Sequence, residues 1–414
     1  MLKRVVVTGI GALTPLGNDT ETFWNSIVNG KSGAAPVTRF DARLFRSHMA
    51  CELKGFDATA MLDRNDIKRN DLFTQYALVA TDQAIADSGF DLNKLSPFDV
   101  GVIWGCAHGG TITFEEQMKE YVKGDGTPRF NPFFLPKALV NMASGMISIR
   151  HGYMGPNYTV VSACASSNTA LMEAFNSIRL GKATIMITGG SEAPITESSY
   201  GGYCALKAMS VRNDDPEHAS RPFDIDRDGF VIGEGAGALV LEEYEHAKQR
   251  GAKIYAELIG TGATGDAYHM TATHPEGIGA IRAMQMALKE AGLGIQDVDY
   301  INPHATSTHV GDLSETKAIA ALTGTEKTKL HISATKSMTG HLLGAAGAIE
   351  SIICLLAIRD GVVPPTINTQ TIDPEIPQNL NIVLKEALQK KVNVTMSNTF
   401  GFGGHNGIVV FKGL

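Results

Sequence analysis

Residues 158–170 read YTVVSACASSNTA, a β-branched run that stops at Cys164 and continues as a helical pattern. The run Tyr158–Ser162 predicts a strand, and Cys164–Leu180 predicts a helix that ends at Gly181. A strand that leads directly into a packed helix is the repeating unit of α/β folds. At the start of that helix, unpaired N–H groups and the helix dipole are expected to stabilise a thiolate on Cys164.

The same alternation continues along the whole chain. Further strands are predicted at Val5–Thr8, Val100–Trp104, Thr184–Thr188, Ala238–Leu241, Lys253–Gly260, Tyr300–Pro303, His331–Ala334, Val392–Ser397 and Ile408–Phe411. Further helices are predicted at Thr20–Val28, after the strand Ala238–Leu241 to about Arg250, at Gly279–Ala291, at Leu313–Leu322, and from about His341 to Ile358. The segment in which a strand leads through Cys164 to a buried helix resembles the segment in which a strand leads through His341 to a buried helix. We therefore expect two related, tightly packed halves, residues 1–250 and 251–414.

Composition narrows the class of protein. The chain has 414 residues, 43% of them apolar, and a net charge of −7, which indicates a globular protein and argues against general nucleic-acid binding. The most apolar stretch, Leu342 to Ile358, contains Glu350 and predicts a buried helix, not a membrane span. No signal peptide is predicted, and widely spaced cysteines indicate a reducing, cytoplasmic setting. They are Cys51, Cys106, Cys164, Cys204 and Cys354.

Two segments only imitate cofactor sites. Residues 7–14 begin like a dinucleotide-binding turn, but Thr14 replaces the third glycine and Pro15 follows it. Residues 224–229 resemble a calcium loop, but Glu234 falls one residue short of the final ligand position. The sequence therefore predicts neither a nucleotide cofactor nor a metal ion.

Two histidines lie in loops rich in glycine and threonine. His304 stands in NPHATST, and His341 stands in KSMTGH. If the two halves are related by a pseudo-dyad, both loops converge on Cys164. Small neighbours such as Ala163 and Ser166 leave room for a substrate to reach the sulfur. One thiol and two imidazoles together indicate covalent acyl chemistry.

Four long motifs carry a specific resemblance: VVSACASSNTA, NPHATSTHVGD, TKSMTGHLLGAAGAIES and SNTFGFGGHNG. Together they resemble the signatures of the elongating β-ketoacyl-[acyl-carrier-protein] synthases of type II (KAS II), in the thiolase superfamily. The resemblance extends over essentially the whole chain, in order and with little insertion. It implies a thiolase-like α/β fold, with duplicated halves in a layered αβαβα arrangement. It also implies an acyltransferase of fatty acid biosynthesis that extends an acyl chain by two carbons from malonyl-ACP.

The resemblance assigns a role to each residue of the site. Cys164 is the nucleophile that takes the acyl group from acyl-ACP as a thioester. His304 and His341 donate hydrogen bonds to the thioester carbonyl of malonyl-ACP as it becomes an enolate, and Lys336 supports this network. The N–H groups of Cys164 and Phe402 form the oxyanion hole. The second histidine favours elongation, because initiating enzymes of the superfamily have asparagine there and thiolases use a second cysteine.

Other positions are implied to handle the substrate. Phe402 is similar to a gatekeeper of the acyl tunnel, and Phe400 is placed with it at the oxyanion hole and gate; ordinary core packing is the alternative for both. Thr306 and Thr308 match hydroxyls that bind the phosphopantetheine arm of the carrier. That arm belongs to the substrate, and loss of carbon dioxide drives the condensation, so no cofactor of the protein is expected.

The resemblance also implies partners and a possible ion. Acyl carrier protein is acidic, so a basic rim would steer it; the implied docking residues are Arg64, Lys68, Arg69 and Lys207. A homodimer is expected, with no nucleic-acid or membrane partner. Three positions match those that hold a monovalent cation in some relatives: Asn302, Glu350 and Ser397.

The chain departs from the family pattern at two sites. Ala305 replaces a common glycine, and His108 stands where type II enzymes usually carry an isoleucine at the end of the acyl pocket. The preferred acyl chain length therefore stays open. Two alternatives also stay open: a polyketide-type ketosynthase, and a non-catalytic partner subunit that only sets chain length. Such partners typically carry glutamine in place of the nucleophile, so Cys164 counts against the second alternative.

Overall fold

The computed structural model describes residues 2–91, 94–324 and 328–414. Its strands are β1 (Val5–Leu13), β2 (Ala35–Pro36), β3 (Met49–Ala50), β4 (Val100–Gly105), β5 (Asn157–Val160), β6 (Ile185–Glu192), β7 (Gly235–Glu243), β8 (Ala256–Gly265), β9 (Tyr300–Asn302), β10 (His331–Ile332), β11 (Val362–Val363), β12 (Asn381–Ile382), β13 (Leu388–Gln389), β14 (Val394–Gly401) and β15 (His405–Lys412). Its helices are α1 (Thr20–Val28), α2 (Ala58–Met61), α3 (Arg64–Arg69), α4 (Leu72–Ser88), α5 (Thr111–Lys123), α6 (Phe134–Ala138), α7 (Met142–His151), α8 (Ser166–Arg179), α9 (Glu197–Ala205), α10 (Tyr244–Gln249), α11 (Ile278–Ala291), α12 (His309–Thr323), α13 (Lys336–Thr339) and α14 (Ala346–Asp360).

The long strands fall into two sets with the same order. One set runs β5-β4-β6-β7-β1 and the other runs β10-β9-β14-β15-β8, with β12 added beyond β10. The five strands of each set can be numbered from one to five in chain order. Their spatial order from the edge inward is then three, two, four, five, one in both sets. The sets meet where β1 pairs antiparallel with β8, with Val5 opposite Leu258. The repeated order confirms the predicted duplication. The exact boundary at residue 250, between α10 and β8, stays a prediction.

Helices separate and cover the two strand sets. Helices α8 and α14 pack against each other, α8 on β4 and β6, and α14 on β14 and β7. Residues 346–357 of α14 are all buried, as a helix between two sheets must be. Helix α4 covers the outer face of β1 and β7, and α11 covers β8 and β15. The result is the predicted layered αβαβα arrangement.

The two central helices start later than predicted. Ala163–Ala165 forms a single 3₁₀ turn, and α8 begins only at Ser166. In the other half Leu343–Ala345 forms the matching 3₁₀ turn before α14. Ala163 and Leu343 both have a positive φ, 50° and 49°, and this sharp bend delays the regular helix. Cys164 therefore lies in the turn before the helix, and His341 lies outside the helix altogether.

No helix in the described ranges is both long enough and apolar enough to cross a bilayer. The most apolar one, α14, lies instead in the protein core, where it packs against strands of both sets. The prediction of a buried helix around Glu350 is therefore confirmed.

Candidate active site

The structure brings Cys164, His304 and His341 together. All three are buried, and the Cys164 sulfur and one ring nitrogen of each histidine lie within 4.8 Å of one another. His341 Nε2 is 3.1 Å from Cys164 Sγ, and the two imidazole rings are 5.2 Å apart at an interplanar angle of 85°. Both histidines thus face the same small volume beside the thiol, where a thioester carbonyl can accept from both.

Separate elements hold each histidine in place. His304 follows β9, and the N–H groups of His304 and Ala305 donate to the Glu315 carboxylate on α12, at 2.9 and 2.8 Å. Asn398 also donates to Glu315, at 3.0 Å, so this buried carboxylate fixes the loop. The N–H of His341 donates to Val231 O at 2.8 Å. Glu315 was not predicted as a site residue. The sequence shows only an acidic residue within a helix that is otherwise expected to pack in the core.

Lys336 lies close enough to both histidines for its charge to act on them. It is buried on α13 and donates from Nζ to Glu350 on α14. Burial, aided by the positive charge of Lys336, holds the pKa of both imidazoles well below the usual value; His341 also contributes at His304. Both rings are therefore neutral at physiological pH, so each carries one proton. Within the described chain, Nδ1 of both histidines has no hydrogen-bond partner.

The resting thiol of Cys164 differs from the prediction. Burial raises its pKa to about 12, against the opposing charge of Lys336 and the N–H groups of Phe402 and Cys164. A stabilised thiolate in the substrate-free chain was therefore a wrong expectation. The physical reason is that Cys164 is only 8% exposed, and the helix that should supply the dipole begins two residues later. The resting site holds a neutral thiol beside a neutral imidazole.

The β14–β15 hairpin closes the site from the other side. Its turn brings the Phe402 N–H within hydrogen-bond reach of Cys164 Sγ, where it lowers the pKa of the thiol against the larger effect of burial. A Cβ on Gly401 would lie 2.5 Å from Ser162 O and 3.1 Å from Cys164 N, so only glycine permits this approach. The Phe400 ring lies 5.8 Å from the His304 ring.

A pocket of about 390 Å³ leads to the thiol. Thr306 and Thr308 line it, with their hydroxyls 3.0 Å apart, and so do Phe400 and Phe402. Of the predicted docking residues, Lys207 lines this pocket and is exposed. The other three, Arg64, Lys68 and Arg69, are exposed together on α3 and are not among the described residues that line the pocket.

The predicted cation positions are buried and rich in oxygen. Asn302 and Ser397 are opposite each other on the paired strands β9 and β14. In the described chain, Ser397 Oγ and Glu350 Oε2 have no hydrogen-bond partner, and oxygen ligands suit a hard monovalent cation. Asn302, however, already bonds Thr335, and Lys336 already supplies a positive charge to Glu350. Whether a monovalent cation binds there stays open, as it does from the sequence.

His108 lies one layer behind the pocket and contacts residues that the sequence reasoning did not identify. Its Nδ1 is 3.2 Å from the Glu192 carboxylate, and its Nε2 is 3.0 Å from the Tyr203 hydroxyl. Tyr203 lines the pocket together with Cys164. The sequence offered no signal for this pairing, because the three residues come from separate elements.

Fold and site together define a thiolase-like condensing enzyme. Residues 2–247 match the family described as "Beta-ketoacyl synthase, N-terminal domain", and residues 255–370 match "Beta-ketoacyl synthase, C-terminal domain". The chain belongs to the beta-ketoacyl synthase family.

Curated relatives span the whole chain. A protein of Staphylococcus aureus (strain COL) named 3-oxoacyl-[acyl-carrier-protein] synthase 2 is 49% identical over 99% of this chain and 98% of its own length. A protein of the same name from Synechocystis sp. is 48% identical over the same shares.

Solved structures agree on the fold. A beta-ketoacyl synthase from Burkholderia phymatum has a TM-score of 0.92 at 34% identity, and covers 100% of both chains. A type II polyketide ketosynthase, solved with its acyl-carrier protein, has a TM-score of 0.91 at 33% identity, again over 100% of both chains. The predicted thiolase-like fold and the ketosynthase family are thereby confirmed.

Proposed function

We propose that this chain is a 3-oxoacyl-[acyl-carrier-protein] synthase of fatty acid elongation. It condenses an acyl group on Cys164 with malonyl-ACP and lengthens the chain by two carbons. The observation that carries the proposal is the buried cluster of Cys164, His304 and His341, with both neutral imidazoles facing the thiol. Identity of 49% over nearly the full length to relatives named for this activity supports it.

In the first half-reaction Cys164 sulfur attacks the thioester carbon of acyl-ACP. The carbonyl oxygen takes negative charge, and the N–H groups of Cys164 and Phe402 are positioned to stabilise it. The carbon–sulfur bond to the carrier then breaks. The thiol proton of Cys164 moves to the departing carrier thiolate, so both neutral imidazoles keep the N–H that they need in the second half-reaction.

In the second half-reaction malonyl-ACP places its thioester carbonyl between His304 and His341. Carbon dioxide leaves, and its bonding electrons form an enolate whose oxygen accepts hydrogen bonds from both imidazoles. The enolate carbon attacks the acyl carbon, the bond to the Cys164 sulfur breaks, and the thiolate takes a proton from solvent to restore the thiol. Neutral imidazoles donate without needing protonation, and Lys336 helps to keep them neutral.

No metal or organic cofactor takes part in this scheme. Decarboxylation supplies the driving force, and the phosphopantetheine arm arrives with the carrier. Thr306 and Thr308 line the pocket with hydroxyls that can bond the amides of that arm.

The partner in both half-reactions is acyl carrier protein. Lys207 at the pocket, together with Arg64, Lys68 and Arg69 on α3, offers exposed positive charge to an acidic carrier. A ketosynthase 33% identical to this chain has been solved in complex with its own acyl-carrier protein, which supports such an encounter here.

We also propose a homodimer in the cytoplasm. Strand β5 pairs with β4 on one side only, within the described residues, and leaves its other edge free. Exposed apolar side chains surround that edge: Ile149, Met154, Tyr158 and Val161. A second copy of this chain suits the edge, since it would extend the sheet and cover these side chains. The five free, buried cysteines suit a reducing compartment.

A polyketide-type ketosynthase is the second candidate function. The observation that favours it is structural similarity at 31% identity to a chain described as "The ishigamide ketosynthase/chain length factor". The higher identity to the synthase 2 relatives favours fatty acid elongation. A purely non-catalytic partner is disfavoured, because Cys164 and both histidines are present and correctly arranged.

The decisive experiment is intact-mass measurement after incubation with hexanoyl-ACP. The unaltered protein should gain one hexanoyl group, and Cys164→Ala should gain none, because no other cysteine of the described chain clusters with the two histidines. Cys204→Ala is the matched control, since Cys204 is buried in the same apolar cluster and should not affect the adduct. An adduct that persists in Cys164→Ala rejects the proposed function.

A further inference from the structure

A small polar cluster lies near one edge of the large sheet, apart from the pocket around Cys164. His331 belongs to β10, Lys329 precedes that strand, and Lys390 follows β13. None of the three is among the described residues that line the pocket. His331 and Lys390 are half-buried, whereas Lys329 is exposed. The condensation proposed above uses none of these groups.

The fold holds the amine of Lys390 against the imidazole of His331. Lys390 Nζ donates to Lys329 O and lies 3.0 Å from His331 Nδ1, which is itself 2.9 Å from Lys329 O. The main-chain N–H of Lys390 donates to Gly361 O at 2.9 Å. The main-chain N–H of His331 donates to Asp299 O at 3.0 Å. Both residues are therefore fixed by backbone bonds as well as by their side chains.

The charges around the Lys390 amine favour its neutral form. The Asp299 carboxylate forms an ion pair with Lys329 at 3.2 Å. It also accepts from the N–H groups of Asn393 and Val394, at 2.9 and 3.1 Å. Within the described residues Lys390 forms no ion pair of its own. Burial lowers the pKa of Lys390, and the charge of Lys329 adds to that effect against the attraction of Asp299.

His331 is placed to act as the base for this amine. Burial, aided by the positive charge of Lys390, lowers the pKa of His331, so the ring is neutral at physiological pH. The tautomer with its proton on Nε2 leaves Nδ1 free to accept from Lys390 Nζ. A neutral amine then donates its two N–H groups to Lys329 O and His331 Nδ1, and its lone pair stays free for attack.

An open groove gives a small reagent access to the cluster. It has a volume of about 470 Å³ and is lined by His331 and by mostly apolar side chains of residues 380–388. Glu386 is the one carboxylate among its described lining residues. Near it are the exposed amines of Lys329 and Lys391. Positive charge beside the groove suits an anionic reagent.

We propose that Lys390 is a modification site that takes an acetyl group from a small acyl phosphate, with His331 as the base. Nζ attacks the carbonyl carbon, the carbon–oxygen bond to phosphate breaks, and an amide forms on the lysine. The proton lost by the nitrogen moves to His331 Nδ1 and then to the departing phosphate, so the imidazole is regenerated. The reaction is separate from the condensation on Cys164 and does not rest on it.

The test is incubation of the whole chain with acetyl phosphate at about pH 8. Tandem mass spectrometry of chymotryptic peptides locates and quantifies the acetylated lysines. Lys390 should be acetylated about tenfold faster than Lys391, which is more exposed but bonds to no histidine among the described residues. Cys164→Ala should be acetylated at Lys390 as fast as the unaltered protein, because the acetyl group reaches the amine directly.

His331→Asn is the decisive variant. Asparagine keeps an acceptor near the position of Nδ1 but is not a base, so the rate at Lys390 should fall about tenfold. His218→Asn is the matched control, since His218 lies 2.8 Å from Asp215 at a separate 3₁₀ turn and should leave the rate unchanged. Thermal melting shows whether both variants remain folded.

The pH profile separates a lowered amine pKa from simple accessibility. A lowered pKa raises the fraction of free amine at a given pH. The rate at Lys390 should therefore rise with pH and level off below about pH 10, whereas Nα-acetyl-lysine in the same samples should still be rising there. This readout needs only the unaltered protein, so it decides the matter if His331→Asn is unstable.

Each contrary outcome is distinct. Equal rates at Lys390 and Lys391, or an unchanged rate at Lys390 in folded His331→Asn, overturn the inference and leave the condensation untouched. A profile for Lys390 that follows Nα-acetyl-lysine contradicts it too. Loss of the Lys390 label in Cys164→Ala would show that the acetyl group passes through the catalytic cysteine, which also overturns it. Failure of hexanoyl-ACP to acylate Cys164 rejects the proposed function alone.

Discussion

At Cys164, burial and positive charge act on the thiol in opposite directions, and burial is the stronger effect. The pKa rises to about 12 although Lys336 and two N–H groups lower it. A raised thiol pKa means less thiolate at neutral pH, and the thiolate is the nucleophile. The proton must therefore leave the sulfur as it attacks the thioester, and the departing carrier thiolate accepts it.

This thiol pKa predicts an unusual rate profile for alkylation. Between pH 7 and pH 10 the rate at which iodoacetamide modifies Cys164 should rise about tenfold per pH unit without levelling off. Peptide mapping by mass spectrometry locates the label, and Cys164→Ala removes it. Glutathione in the same samples, an ordinary thiol, should begin to level off within the range. A plateau for Cys164 at or below pH 9 contradicts the assignment of a raised pKa.

At the scale of elements, the approach of β4 to the first turn of α8 sets the position of Cys164. Gly105 ends β4, and a Cβ there would lie 2.6 Å from Ser166 C and from Ser167 N. Gly105→Ala should therefore push the turn away and destabilise the protein by about 1–3 kcal/mol. The same shift should slow acylation of Cys164. Urea denaturation and the intact-mass assay measure the two effects.

Replacing Gly145 with alanine should have the opposite effect on stability from the same replacement at Gly105. Gly145 is inside α7, and nothing lies within 4 Å of its added Cβ. Alanine favours a helix interior over glycine, so stability should rise by about 0.5–1 kcal/mol. If both variants shift the urea midpoint in the same direction, backbone contact at Gly105 is not what holds α8.

The order of the elements could be predicted from the sequence, but the starts of the two central helices could not. Strand and helix order followed from alternating patterns, and the predicted helix Thr20–Val28 begins where Asp19 accepts from the Thr22 N–H. The starts of α8 and α14 did not follow, because the positive φ of Ala163 and Leu343 comes from tertiary packing and not from local propensity. The motifs identified Cys164 and its histidines.

Contacts between distant elements could not be predicted from the sequence for the same reason. Glu192 and Tyr203 belong to separate elements, β6 and α9, and nothing in their local sequence indicates that they meet His108. The burial that raises the pKa of Cys164 likewise depends on the hairpin around Gly401, far along the chain.

For the whole molecule, the free edge of β5 predicts a dimer. Ile149 is 72% exposed and Tyr158 is 40% exposed, both beside a strand edge that pairs with no other strand among the described residues and that a second copy can cover. Light scattering after size exclusion should give about 88 kDa, twice the 44.2 kDa of the chain. Ile149→Lys/Tyr158→Lys should reduce the mass to that of one chain, because two lysines on each copy would meet the same surface on the other.

The matched control for the dimer is Leu44→Lys. Leu44 is 98% exposed, and it lies in a short 3₁₀ turn on a different part of the chain, so a lysine there should leave the mass unchanged. A mass of one chain for the unaltered protein contradicts the dimer, as does a double-lysine variant that stays at twice that mass. Because α7 and the loop at Val161 flank the strand that leads to Cys164, dissociation should also lower acylation. Dissociation with full acylation activity would show that each copy forms its site alone.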